Sequence, residues 1–283
     1  MLYFMDIGQN FRFGFYTASP ADRMAAIKAA GFNSTMLWWG EEFVSSDGTK
    51  ESLLALAKRN GLAVKTVHFP STNAHQLWLD GEEGELYTHQ LLQAVRDCSF
   101  YEIPNLVMHL TRKLITVPPN QTGIDRLASV CVEAEKLHVS LALENTRFLA
   151  YNRYVYEHLD SPALKFCFDT GHANCYTPDE DPLGLFGSRL ATTHIHDNYG
   201  PAGHPDGLTA PSGATDLHNL IGDGNIDFTA VGRRLHALHN TVWNLESYCF
   251  AHSKYYGLSM QDYLNLSYSK LVALIKSSKE VNV

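Results

Sequence analysis

A (β/α)8 barrel is the fold class this sequence predicts, on three observations. Short β-rich apolar runs alternate with longer amphipathic stretches along the whole chain. Eight such runs can be counted, and 283 residues is a length at which α/β barrels form one unit. The expectation is one barrel domain over residues 1–283.

Taken in order, residues 11–16 (FRFGFY) read as the first strand, and 20–30 (PADRMAAIKAA) as a helix opened by Pro20 and stopped by Gly31. Strand two is 34–39 (STMLWW), and the helix 50–60 is again closed by a glycine, Gly61. There follow strand three at 62–69 (LAVKTVHF), a helix near 84–101, strand four at 105–110 (NLVMHL), a helix near 122–137 and strand five at 139–145 (VSLALEN). Strands six, seven and eight are 164–169 (LKFCFD), 191–197 (ATTHIHD) and 241–247 (TVWNLES), each with room for a helix behind it, and a last helix covers 260–277. An open doubly wound sheet holding a dinucleotide would carry a Gly-x-Gly-x-x-Gly turn after strand one, where this chain has Tyr16-Thr17-Ala18-Ser19. The one Gly/Pro-rich stretch, 198–215, reads as a long loop over the strand ends, its glycines available to a phosphate.

Composition narrows the partners. With 45% hydrophobic and 18% charged residues the chain has ample material for a large core. Lys plus Arg number 22 against 30 Asp plus Glu, a net charge of −8, so no global positive field favours nucleic acid or an anionic membrane. The opening residues, MLYFMDIGQNFRFGFY, show no basic segment followed by a sustained apolar core, and no apolar run approaches a bilayer span. Five widely spaced cysteines with no Cys-x-x-Cys pair speak against a disulfide framework. A cytoplasmic, membrane-free protein is expected, with association into a homo-oligomer left open.

The 14 histidines are a large share for such a chain, and their places are informative. Strand three ends at His68, four at His109, five at Glu144, six at Asp169 with His172 three residues on, seven at His194, His196 and Asp197, and eight at Glu246. All these ends share one face of a barrel. Imidazole and carboxylate without thiolate suit Zn²⁺, Mn²⁺, Co²⁺ or Mg²⁺. A lone strand-end histidine more often caps a carbonyl, and a lone glutamate more often pairs with a base. Six strand ends terminating in ligand types weigh against that reading, and LALENT and WNLESY are too apolar to bury an unpaired carboxylate cheaply.

Glu144, Asp169, His194 and Glu246 are therefore expected to ring one cation, with Glu144 and Glu246 also exchanging a proton on a carbon beside a carbonyl. Only one of His194 and His196 is expected to face the barrel interior; His194 is given that place, with His196 supporting or packing. His138, His158, His236 and His239 read as surface residues, and Trp38 and Trp39 as candidates for the substrate pocket.

FDTGHAN (168–174), HIHDN (194–198), DLHNLIGDGNID (216–227), ALENT and NLESY together resemble the xylose isomerase-like TIM-barrel superfamily, which includes sugar and sugar-phosphate isomerases and epimerases and endonuclease IV. The resemblance runs from His68 to Glu246. In the epimerase branch it implies one catalytic metal held by Glu144, Asp169, His194 and Glu246, with His172 touching the sugar. The endonuclease IV pattern implies up to three zinc ions on His68, His109, Glu144, Asp169, His172, His194, Asp216, His218 and Glu246. Against the nuclease stand Leu217, where its motif has Arg, and the acidic, aromatic WWGEEF segment after strand two, where a DNA-bending loop needs cations. The leading expectation is a metal-dependent sugar or sugar-phosphate isomerase or epimerase. The alternatives are an endonuclease IV-like zinc phosphodiesterase and a barrel that binds metal and sugar without catalysis.

Overall fold

The computed structural model describes residues 5–40, 48–111, 117–210, 214–251 and 253–279. Glu41, Glu42 and Phe43 of the acidic segment, and residues 211–213 of the long loop, lie outside the described residues.

Eight parallel strands close into a barrel in sequence order. They are β1 (Asp6–Asn10), β2 (Ser34–Trp38), β3 (Ala63–His68), β4 (Asn105–Met108), β5 (Ser140–Glu144), β6 (Leu164–Asp169), β7 (Leu190–Ile195) and β8 (Val242–Leu245). The seam is shut by β1 against β8, with Asp6 beside Val242 and Ile7 beside Trp243. Among the described residues the strands are wrapped by α1 (Pro20–Ala29), α2 (Lys50–Arg59), α3 (Glu82–Phe100), α4 (Gln121–Lys136), α5 (Leu149–His158), α6 (Thr170–Tyr176), α7 (Pro182–Phe186), α8 (Phe228–Ala237) and α9 (Met260–Ser277). None of the described helices is long and apolar enough to cross a membrane.

Strand one differs from its expected place. The aromatic run 11–16 follows β1; its Phe11 and Phe13 pack in the core while Phe15 is exposed, whereas β1 itself is the polar-looking DIGQN. Its Gln9 and Asn10 are wholly buried and hydrogen-bonded to each other, so hydropathy hides the strand.

The helix starts are chemically marked. Ser19, Thr49, Asn120 and Ser259 each accept a backbone N–H of the first turn, of α1, α2, α4 and α9. Inside the barrel, Val107, Ala142 and Cys167 form an apolar cluster. Beside it Thr66 and Thr192 hydroxyls lie 3.1 Å apart, and the Asn244 amide donates to Thr192 over 3.0 Å and to Thr66 over 3.3 Å. Among the described residues the interior is thus filled, and the strand-end side chains gather at the carboxyl-terminal rim.

A candidate metal and substrate site at the barrel rim

Register brings the strand ends together. Asp169 pairs with His194, Glu144 with Cys167, and His194 with Asn244 two residues before Glu246. The Glu246 N–H extends the ladder to the Ile195 carbonyl over 3.0 Å. Donor atoms of Glu144, Asp169, His194 and Glu246 consequently lie within 4.8 Å of one another, all buried. His68 and His109 join Glu144 in a second such group, Cys167 joins Glu144 and His194 in a third, bringing a thiol that the sequence reading did not expect, and His196, Asp216 and His218 make a fourth.

Glu144 is the hub. Its Oε2 lies 3.1 Å from His68 Nε2, 3.2 Å from His109 Nε2 and 3.2 Å from His194 Nδ1, while Oε1 lies 2.9 Å from His172 Nδ1. Glu246 Oε2 is 2.9 Å from His194 Nδ1. Asp169 does two jobs at the start of α6: it faces the site and its carboxylate accepts the His172 N–H over 2.6 Å, which sets His172 on the rim. His172 Nε2 and His218 Nε2 each lie 3.4 Å from Asp216 Oδ2.

The tautomers show what these groups lack. Nδ1 of His68 meets the Phe69 carbonyl at 2.7 Å, that of His172 the Asn145 carbonyl at 3.0 Å, and that of His218 the Glu246 carbonyl at 2.8 Å. A carbonyl only accepts, so Nδ1 carries the proton and Nε2 of the neutral ring turns a lone pair toward a carboxylate oxygen. Two lone pairs facing each other repel unless a proton or a cation lies between them. Glu144 Oε1, His109 Nε2, His196 Nδ1 and both ring nitrogens of His194 are buried, and despite these short separations none of them makes a well-directed hydrogen bond among the described residues. This is a donor set that fits a divalent cation.

Without a cation, protons serve. Burial works against ionising each group, yet the opposite charges prevail. Asp216 raises His218 to about 9. Glu144, Asp169 and Asp216 hold His172 well above the usual imidazole value, and Cys167, Glu144 and Glu246 do so for His194. His109 and His194 hold Glu144 well below the carboxylate range, and His194 takes Glu246 down to about 2. His109 goes the other way, lowered by its burial.

Above the donors opens a cavity of about 660 Å³. Its floor is His68, His109, Glu144, His172, Asp216, His218 and Glu246, and its walls include Phe15, Trp38, Thr146, Arg147, Tyr176, Tyr248 and Phe250. Trp38 lies 4.3 Å from the His68 ring, centre to centre. Trp39 does not reach this cavity: one residue on, it faces away, 2% exposed, with its indole N–H on Asp97 at 3.1 Å. Of the long loop, Ala210 and Ala214 touch the cavity, and its glycines are not among the described lining residues.

His196 also departs from expectation. Residues two apart on a strand share a face, and His196 lies inward like His194, fully buried, its Nε2 3.1 Å from Asp169 and its ring stacked 3.8 Å from that of His218. His138, His158, His236 and His239 are exposed. Sequence reasoning did not single out Arg147 or Tyr176; their only signal is position, three residues beyond Glu144 and four beyond His172.

Comparison with known proteins agrees with this architecture. The family described as Xylose isomerase-like TIM barrel matches residues 24–256. An uncharacterised protein, y4fM, of Sinorhizobium fredii is 26% identical over 175 residues, covering 54% of this chain and 51% of that protein, so the match spans about half its length. Among solved structures, an L-ribulose 3-epimerase superposes with a TM-score of 0.72 at 17% identity, covering 96% of this chain and 95% of its own. A D-psicose 3-epimerase of Clostridium cellulolyticum, solved with D-tagatose, gives 0.73 at 13% identity over 98% and 100%. A 3-keto-D-glucoside 4-epimerase of E. coli gives 0.69 at 18% identity over 96% and 99%.

Proposed function

Because the chain belongs to the xylose isomerase-like TIM barrel family, we propose that it is a divalent-metal-dependent isomerase or epimerase of a small sugar or sugar phosphate, working by proton transfer beside a carbonyl. One observation carries this reading above all: the Glu144 and Glu246 carboxylates enter from β5 and from the end of β8, flank His194 at 3.2 and 2.9 Å, and open onto the cavity. Glu144, Asp169, His194 and Glu246 would hold the cation. A divalent cation held there would supply Lewis acidity to the oxygens of a bound sugar and so favour loss of a proton from the neighbouring carbon.

The protein's own groups do the rest. Glu144 and Glu246, on either flank of His194, would exchange the proton, one taking it and the other returning it. His172, with its Nδ1–H held by Asn145, points Nε2 toward the floor, where it meets a sugar hydroxyl beside Asp216. Trp38 and the aromatic wall exclude water from the reacting carbon.

A second reading is favoured by two further donor groups, His68 with His109 and Glu144, and His196 with Asp216 and His218. With all three occupied, the rim would suit a zinc phosphodiesterase of the endonuclease IV kind. Elemental analysis separates the two: about one metal per chain supports the isomerase, about three the phosphodiesterase. In parallel, the protein is incubated in D2O with a panel of ketoses and with abasic-site DNA. Deuterium entry into a ketose that is lost in Glu246→Gln, at unchanged thermal stability, is the expected result. Exchange that survives Glu246→Gln, or cleavage of the DNA in place of exchange, overturns the isomerase.

A further inference from the structure

We propose that the substrate carries a terminal oxyanion, a phosphate or a carboxylate, which Arg147 receives on the cavity wall. This deepens the isomerase reading and rests on it.

Arg147 stands in the connection between β5 and α5, three residues past Glu144. Its guanidinium lies 4.2 Å over the centre of the Tyr176 ring, and that ring lies 5.3 Å from the ring of His172. The cation is thus held one aromatic ring away from the histidine at the cavity floor, on the wall that a substrate's far end would touch.

Charge accounting within the cavity points the same way. The acidic residues on its floor, Glu144, Asp216 and Glu246, are each met by histidines, at 2.9 to 3.4 Å. Arg147 is met by no carboxylate among the described residues. Other bases of this chain are, as in Lys50 with Asp97 and Arg234 with Asp181. Among the described lining residues it is also the one side chain that is always cationic.

Stacking on Tyr176 leaves the edge of the guanidinium, with its N–H fork, directed to a ligand. A planar fork receives two oxygens of a phosphate or carboxylate in parallel, which a neutral hydroxyl cannot reproduce. The neighbouring Thr146 lines the same wall and adds a hydroxyl.

The test compares three matched probes, D-fructose, D-fructose 6-phosphate and D-fructuronate, by calorimetry on manganese-loaded protein. Wild-type protein is expected to bind at least one anionic probe about 10-fold or more tighter than D-fructose. Arg147→Gln is expected to weaken that probe by about 10–100-fold, bringing the charged-to-neutral ratio near one. Arg147→Lys, which keeps charge and loses the fork, and Tyr176→Leu, which removes the stack, should fall between. The probe that loses affinity identifies phosphate or carboxylate as the recognised group. Wild-type protein that binds neither anionic probe more tightly than D-fructose, or a ratio left intact in Arg147→Gln, overturns the proposal. Binding is read without turnover, so a ratio that collapses in Arg147→Gln while no ketose exchanges hydrogen sinks the isomerase reading and leaves the oxyanion subsite standing.

Discussion

The donor group of Glu144, Asp169, His194 and Glu246 is carried by the strands themselves, whereas His196, Asp216 and His218 sit on the chain beyond β7. In the first group, inter-strand pairing fixes each side chain: shifting any one would break a ladder. In the second, placement depends on side chains gripping backbone. Asp197 is wholly buried, and its two oxygens accept four backbone N–H groups, from Asn198, Gly222, Gly224 and Ile226. Backbone bonds between Asp197 and Asn219, at 2.8 and 2.9 Å, fold the segment bearing Asp216 and His218 back over the rim. Gly224 is required at that clasp, since a Cβ there would fall on the Asn198 carbonyl. Two neighbouring sites thus differ in how they fail: the strand-borne one only with the barrel, the loop-borne one with a single carboxylate.

Asp197→Ala is the sharpest way to break that contrast. Stranding the four N–H groups should destabilise the protein by on the order of 4 kcal/mol. Asn would keep one oxygen for two of the donors while turning an amide N–H2 toward the others, so Asp197→Asn should cost roughly half as much. Denaturant unfolding measures the first effect, and titration with Mn²⁺ the second: affinity at the strand-borne group should survive in both variants while any binding that depends on His218 is lost. Equal loss at both groups would show that they are held as one unit.

The same contrast explains what is legible in the sequence. Seven of the eight strands, and the ligands that end six of them, can be read because a buried parallel strand is a continuous apolar run, and a His, Asp or Glu at its end breaks the run visibly. β1 is hidden because its buried side chains include the polar Gln9 and Asn10, hydrogen-bonded to each other. Asp216 and His218 come into view only through resemblance to a family, since no periodicity governs a loop. His196 demanded a correct account of strand faces together with the extension of the chain past Ile195. Arg147 and Tyr176 carry no pattern at all; their meeting depends on the connection after β5 lying against the end of α6, which follows the neighbouring strand β6.

Proton linkage gives a second, somewhat smaller effect. In metal-free protein His218, raised to about 9 by Asp216 against the pull of burial, stays charged at neutral pH. A raised histidine stabilises the fold fully below its unfolded value near 6.5 and loses that contribution as the pH climbs through about 9. Chelated protein should therefore lose up to about 3 kcal/mol between these values. A cation that displaces the protons should flatten the profile, because binding needs the neutral ring. Thermal melts of chelated and manganese-loaded protein from pH 6 to 10 check this. Chelated protein whose melting temperature stays level or rises over that range would refute the linkage.

The smallest expected effect lies at the contact between the two groups. The first turn of α6 carries Gly171, and a Cβ there would land on the His196 ring. Thr170 holds the backbone of His196 in place from the other side: its hydroxyl donates to the His196 carbonyl over 2.6 Å and accepts the His196 N–H over 3.0 Å. The ring therefore cannot retreat by moving the chain, and Gly171→Ala must rotate the imidazole away from Asp169 and out of its stack on His218. Overpacking of this kind costs about 1–3 kcal/mol. Since Asp169 would keep its place at the end of β6, manganese affinity at the strand-borne group should fall modestly, by less than the loss in Asp197→Ala at the loop-borne one. If Gly171→Ala instead abolishes metal binding altogether, His196 is itself a ligand, and the division between strand-borne and loop-borne donors dissolves at that residue.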